Sequence, residues 1–246
     1  MKKICLLLAV MLSVFSCQKA STLTREVRFS LPFLSGDLTK ADLAEIETAL
    51  SAANPTTAPY ITIQSTSVEG RRYTCRVGQS VTLPLDTYSV TGTYAPETGL
   101  QKFRGLTIAN EPTYVISETI VVTEDSDVFT LGAEYRCFAL VLDKSVSKSY
   151  SLINTGGAVS PVSAYVTTGD VSVCFGVASS ATGSYSLTVT PVDNVNYEPT
   201  TIGLGFGGGS GAVALEYGKW YSFSADAAVT SSGNMGVSFP TWVNGN

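Results

Sequence analysis

Polar and apolar residues alternate with a period of two along most of this chain, and that pattern admits half-buried strands and little else. Tyr185, Leu187 and Val189 interleave with Ser184, Ser186, Thr188 and Thr190, which puts one set on a core and the other toward water. Tyr88, Val90 and Tyr94 against Thr87, Ser89, Thr91 and Thr93 repeat it, as do Phe129, Leu131, Ala133, Tyr135 and Cys137. Further strand candidates cover 26–33, 60–68, 71–77, 80–83, 113–122, 149–153, 163–166, 171–178, 211–217, 220–228 and 236–242, with Gly, Pro, Asn and Ser turns between them. Many short strands with one polar face predict an all-β chain of antiparallel sheets packed as sandwiches.

One helix interrupts the strands. Thr39 is placed to cap it, Asp42 follows three residues later, Leu43, Ile46 and Leu50 share a face, and Asn54-Pro55 ends it, so the pattern predicts a short helix over 39–53. The run from Cys137 to Leu142 is apolar throughout and predicts a strand buried on both faces, followed by the polar stretch 143–148. A boundary near Ser145 therefore divides the chain into a first sandwich over 26–144 and a second over 145–246.

The start of the chain predicts a location. Lys2 and Lys3 precede an uncharged run over 4–15, and Val14-Phe15-Ser16-Cys17 closes it. This is the layout of a bacterial lipoprotein signal over 1–16, too short to be the roughly 20-residue helix that spans a bilayer. Cutting before Cys17 leaves its thiol to carry lipid, with 17–25 as a tether, so the membrane is a partner through Cys17. Phe15 departs from the preferred residue at that place.

Several function classes drop out on composition. The cut removes Lys2 and Lys3 and leaves 13 basic against 20 acidic side chains, a balance unsuited to nucleic acid, which needs a basic stripe. Arg71, Arg72 and Arg76 are better explained as an exposed strand face. No histidine occurs, which excludes Ser-His-Asp and Cys-His chemistry. Cys75, Cys137 and Cys174 each sit in a strand-like stretch, where a buried free thiol behaves as a small hydrophobe; three buried thiols are expected rather than a disulfide.

Two motifs carry a resemblance. Leu83-Pro84-Leu85-Asp86-Thr87-Tyr88-Ser89-Val90 resembles the LPxGxYxV strand start common in β-sandwich lipoproteins of Bacteroidota. Leu215, Gly218, Tyr221 and Phe223, followed by Trp242, resemble the closing LxxGxxYxF and W strands of fimbrillin-like domains. The resemblance implies two tandem sandwiches on an outer-membrane lipid anchor, in a family associated with fimbriae, adhesion and glycan-utilisation surfaces. Asp86 stands where that family has glycine. Residues 18–21 lack the acidic residues that follow the lipidated cysteine in surface-exported members, which leaves both faces of the outer membrane open.

The remaining motifs weigh against chemistry. Gly203, Gly205 and Gly208 match the dinucleotide fingerprint, but the segment after them reads as a strand, whereas the pyrophosphate needs a helix N-terminus; a mobile loop is expected. Glu124, Asp125 and Asp127 read as a hairpin tip, because the stretch lacks the length and closing glutamate of a calcium loop. Glu45 and Glu47 cannot face each other on a helix, and no acid–base pair is placed by Asp193, Glu198 or Glu216. Arg25 is read as the flank of the first strand. No catalytic residue, metal or cofactor is assigned.

Aromatic side chains offer the binding chemistry, with Trp220, Tyr221 and Trp242 as the candidate ligand contacts and Tyr165, Tyr185 and Tyr197 offering similar faces. At least about two thirds of these rings are nevertheless expected to be core, and Tyr185 and Phe223 fit an inward face. Trp220 and Tyr221 are neighbours in one strand and point to opposite sides, so one of them is expected to be exposed. The sequence thus predicts a non-enzymatic adhesion or fimbria-associated subunit, with a protein or glycan partner. A glycan-binding lipoprotein of a polysaccharide-uptake system is the alternative.

Overall fold

The computed structural model describes residues 23–31, 52–53, 57–194 and 198–223. The signal 1–16, Cys17, Tyr197, Trp242 and all of the 39–53 helix except Ala52 and Ala53 lie outside them. Up to Tyr135 the strands are β1 (Thr24–Ser30), β2 (Tyr60–Ser65), β3 (Arg72–Arg76), β4 (Ser80–Pro84), β5 (Asp86–Tyr94), β6 (Gln101–Phe103), β7 (Leu106–Ala109), β8 (Tyr114–Val122), β9 (Val128–Thr130) and β10 (Glu134–Tyr135). Beyond it come β11 (Phe138–Asp143), β12 (Ser147–Ile153), β13 (Val159–Pro161), β14 (Val166–Thr168), β15 (Val171–Ala178), β16 (Gly183–Pro191), β17 (Thr200–Phe206), β18 (Val213–Leu215) and β19 (Trp220–Phe223).

The fold is all-β, and the alternation sets its faces. In β16 Tyr185, Leu187 and Val189 are buried and the serines and threonines between them turn outward. A three-stranded sheet in the order β4-β1-β9 and a five-stranded sheet in the order β10-β8-β5-β2-β3 form the first part of the molecule. Phe29, Ile63, Leu83, Tyr88, Val90 and Tyr114 share one buried cluster between them. A second five-stranded sheet, β13-β12-β16-β17-β18, belongs to the other part.

Between these lies a six-stranded sheet, β19-β11-β15-β7-β6, with β14 also paired to β15. It is apolar on both faces, as the run 137–142 predicts. Ala139, Val141, Val173, Phe175 and Trp220 join the first buried cluster. Phe138, Leu140, Leu142, Cys174, Tyr221 and Phe223 join a second cluster with Tyr150, Leu187 and Leu204. A strand with no solvent face has no reason to alternate.

This sheet takes β6, β7 and β11 from before Ser145 and β14, β15 and β19 from after it. The hairpin β6–β7 leaves the first part between β5 and β8, which pair directly with each other from Asp86↔Val122 to Tyr94↔Tyr114, and adds β7 to β15 through Phe175↔Ala109 to Ala178↔Leu106. Side chains fasten it. The Gln101 amide donates to the Pro161 carbonyl at 2.6 Å and accepts from the Ser163 N–H at 2.8 Å. The Arg104 N–H donates to Ile153 O at 2.9 Å, and Gly105 O accepts from Ser179 N–H at 2.8 Å and from the Tyr185 hydroxyl at 3.0 Å.

Two strand expectations are corrected. The predicted strand over 129–137 is two, because the chain changes sheets: β9 runs parallel to β1, and β10 pairs antiparallel with β8. The expected mobile glycine loop begins inside β17, which pairs with β16 over seven residues from Gly183↔Phe206 to Val189↔Thr200. Close backbone approaches hold two of its glycines: a Cβ on Gly205 would collide with the Gly209 carbonyl oxygen, and one on Gly209 with the Gly183 carbonyl oxygen.

Candidate functional site

Of the aromatic contacts expected from the sequence, Trp220 and Tyr221 are core, and Trp242 lies outside the described residues. Trp220 is 6% exposed and Tyr221 fully buried, which corrects the expectation that one of them faces solvent. Both faces of the six-stranded sheet are covered, so alternation along β19 sends Trp220 into one cluster and Tyr221 into the other. The Tyr221 hydroxyl accepts the Glu216 N–H at 2.7 Å, and the Tyr150 hydroxyl reaches the Phe223 carbonyl at 3.0 Å. Tyr185 is 8% exposed. One face of the half-buried Tyr165 is taken by Lys144, whose Nζ lies 4.6 Å from the ring centroid.

Cys75, Cys137 and Cys174 are buried free thiols, as expected. Burial pushes the Cys137 and Cys174 thiols up to about 12 and raises Cys75 as well. Burial thus works against the thiolate, the form that attacks as a nucleophile, at all three.

Polar chemistry gathers at Asp86, at the start of β5. The Ser65 hydroxyl donates to its carboxylate at 2.6 Å, the Ser67 hydroxyl donates to the other oxygen, and the Thr87 N–H adds a third bond at 2.8 Å. Arg71 completes the ring with a guanidinium nitrogen at 3.6 Å. Chiefly through the two serine hydroxyls, these contacts hold the Asp86 carboxyl below its ordinary range. Ser65 also accepts the Val68 N–H at 2.8 Å, so the cluster clasps the β2–β3 turn against the start of β5. A carboxylate held this way is a poor general base.

The acidic stretch 124–127 is a turn. Ser126 N–H donates to Thr123 O at 3.2 Å, the Ser126 hydroxyl accepts the Thr123 N–H at 2.9 Å, and Arg25 Nε donates to Ser126 O at 2.7 Å. Arg25 thus lies within β1 and fastens it to this turn. Arg72 and Arg76 are exposed on β3 as the alternation predicts, with Arg76 4.7 Å above the Tyr60 ring.

A cavity of about 310 Å³ opens where the β6–β7 turn meets β12 and β16. Phe103, Leu152 and Tyr185 are among its apolar lining residues and Arg104, Ser184 and Ser186 among its polar ones, with no carboxylate in the lining. Its size is at the lower end of small-ligand pockets, about 300–1,000 Å³. Sequence reasoning missed it because its walls lie about eighty residues apart along the chain and meet only through the hairpin. The one local signal is Arg104-Gly105, a turn pair with Gly105 at φ 74°.

No family model matches the chain, and no curated protein does. Solved structures resemble it distantly. One is a candidate cell adhesion protein from Bacteroides uniformis, 10% identical, TM-score 0.46, covering 92% of this chain and 100% of that one. A candidate cell adhesion protein from Bacteroides ovatus is 10% identical with a TM-score of 0.40, over 89% of this chain and 97% of that one. A structure described as candidate polysaccharide-binding proteins from Bacteroides thetaiotaomicron is 8% identical with a TM-score of 0.29, over 73% and 78%. Likenesses this distant do not assign a function.

Proposed function

We propose that this chain is a lipid-anchored envelope protein of the outer membrane that acts in adhesion, as an adhesin or a fimbria-associated subunit, and carries out no catalysis. The observation that carries the reading is the lacing of its parts: a lipoprotein-type start ending at Cys17 leads into an all-β body whose two sides are joined through one six-stranded sheet. An attachment protein has to pass a partner's grip to its anchor without separating in between, and a shared sheet does that where a flexible linker would not. Cells producing the protein should bind their partner surface, and cells carrying Cys17→Ser should release the protein, lose fatty-acid label from it and lose the binding together. Binding that persists without lipid incorporation would overturn the reading.

The cavity at the β6–β7 turn favours a second reading, in which the same anchored body holds a glycan. A cationic residue, Arg104, beside apolar lining residues suits a sugar carrying a carboxylate. Glucuronic acid should then bind where glucose does not, and Arg104→Ala should abolish that difference while leaving the fold intact, since Arg104 is exposed.

A further inference from the structure

Among the described residues three of the strand pairings are parallel, and two of them share a topological property. β1, where the described chain begins, lies parallel to β9, close to where the chain leaves the first part: Arg28↔Val128, Phe29↔Phe129 and Ser30↔Thr130. β11, which begins the second part, lies parallel to β19, the last described strand: Ala139↔Trp220, Leu140↔Tyr221, Val141↔Ser222 and Leu142↔Phe223. In a parallel pair the chain enters at one end and leaves at the other. Tension along the chain therefore slides the two strands past each other and loads all the rungs together, whereas tension applied at one end of an antiparallel pair opens the rungs one at a time.

From this arrangement we infer a further function, the bearing of mechanical load, with β1–β9 and β11–β19 as shear clamps in series. β1 is doubly held, since its other edge pairs with β4 over five residues, Thr24↔Pro84 to Arg28↔Ser80. β19 is held by buried rings: sliding it withdraws Trp220, Tyr221 and Phe223 from two cores and breaks the bond from the Tyr150 hydroxyl to Phe223 O. The buried rings thus have a task as anchors of β19. The β6–β7 hairpin joins the clamps side by side by tying the excursion between β5 and β8 to β15.

Single-molecule pulling tests the inference without any ligand, so its outcome is separable from that of the adhesion reading. The chain from residue 17, with Cys17→Ser and an N-terminal tag as one handle, receives a second handle at one of two exposed positions. Thr130→Cys lies at the far end of β9 and loads β1–β9 in shear; Thr82→Cys lies opposite Glu26 on β4 and peels β1 from its open end. The native thiols are buried, so coupling addresses the new cysteine. Urea midpoints matching the parent chain establish that both variants are folded. At one loading rate the shear geometry should rupture at no less than about twice the force of the peeling geometry, because forced rupture follows the unfolding barrier and not the equilibrium stability. Equal forces, or a weaker shear geometry, would overturn the inference.

Discussion

Trp220 and Asp86 are the two residues whose surroundings most change what the sequence suggests. A tryptophan in the final strand reads as a binding ring, and in the fold it fills the first core. Trp220→Ala should therefore cost about 3–5 kcal/mol of stability in urea unfolding, the range for truncating a buried large ring; a change within about 0.5 kcal/mol would mark it as a surface residue. Asp86 reads as a departure from a glycine, and in the fold it collects two serine hydroxyls, a backbone N–H and Arg71. Its carboxyl pKa is lowered on folding, so it contributes stability at pH above its unfolded value, about 3.9, and that contribution is lost as pH falls through the lower folded value. Acid unfolding followed by circular dichroism should show a shallower fall of stability with pH below that value for Asp86→Asn than for the parent. The thiols were legible from the sequence because burial in a strand needs only local apolar context. The Asp86 cluster was not, since Ser65, Ser67 and Arg71 reach it only through the pairing of β2 with β5.

Elements were readable where they were long enough for alternation to repeat. β5, β8 and β16 have nine residues each, and their inward residues are those the pattern selects. β6 and β7 have three and four, too few for a period to stand out, and both went unseen although they join the parts of the molecule. β17 was hidden by composition: glycine weakens a strand on its own, but here Gly203 and Gly205 let Gly209 and Gly211 approach the backbone closely. Gly205→Ala should cost at least about 1–3 kcal/mol, because the added methyl meets backbone and not a side chain that can turn away. The hairpin offers a gentler probe. Gln101→Ala removes the contacts to Pro161 and Ser163 and should cost about 1 kcal/mol in the same assay, consistent with solvent-accessible hydrogen bonds.

At the scale of the whole molecule, one sheet drawn from both sides of Ser145 makes the halves interdependent. A fragment covering 145–246 lacks β6, β7 and β11, so the apolar faces of β15 and β19 lose the strands between and beside them. It should show no cooperative urea transition, whereas the full body should unfold in one, with fluorescence and far-ultraviolet signals coinciding. A cooperative transition of the fragment would show that the half folds by itself. The hairpin also sets an order of events in time. A chain exported from its N-terminus delivers Leu106–Ala109 well before the Phe175–Ala178 segment that pairs with it, an interval of about seventy residues during which β5 and β8 can already close behind the hairpin. Until the later segment arrives, an apolar strand edge waits uncovered, and such edges invite pairing with other chains. On the proposed envelope reading, export is the stage at which this chain most needs a holding chaperone, and the need ends when β15 arrives.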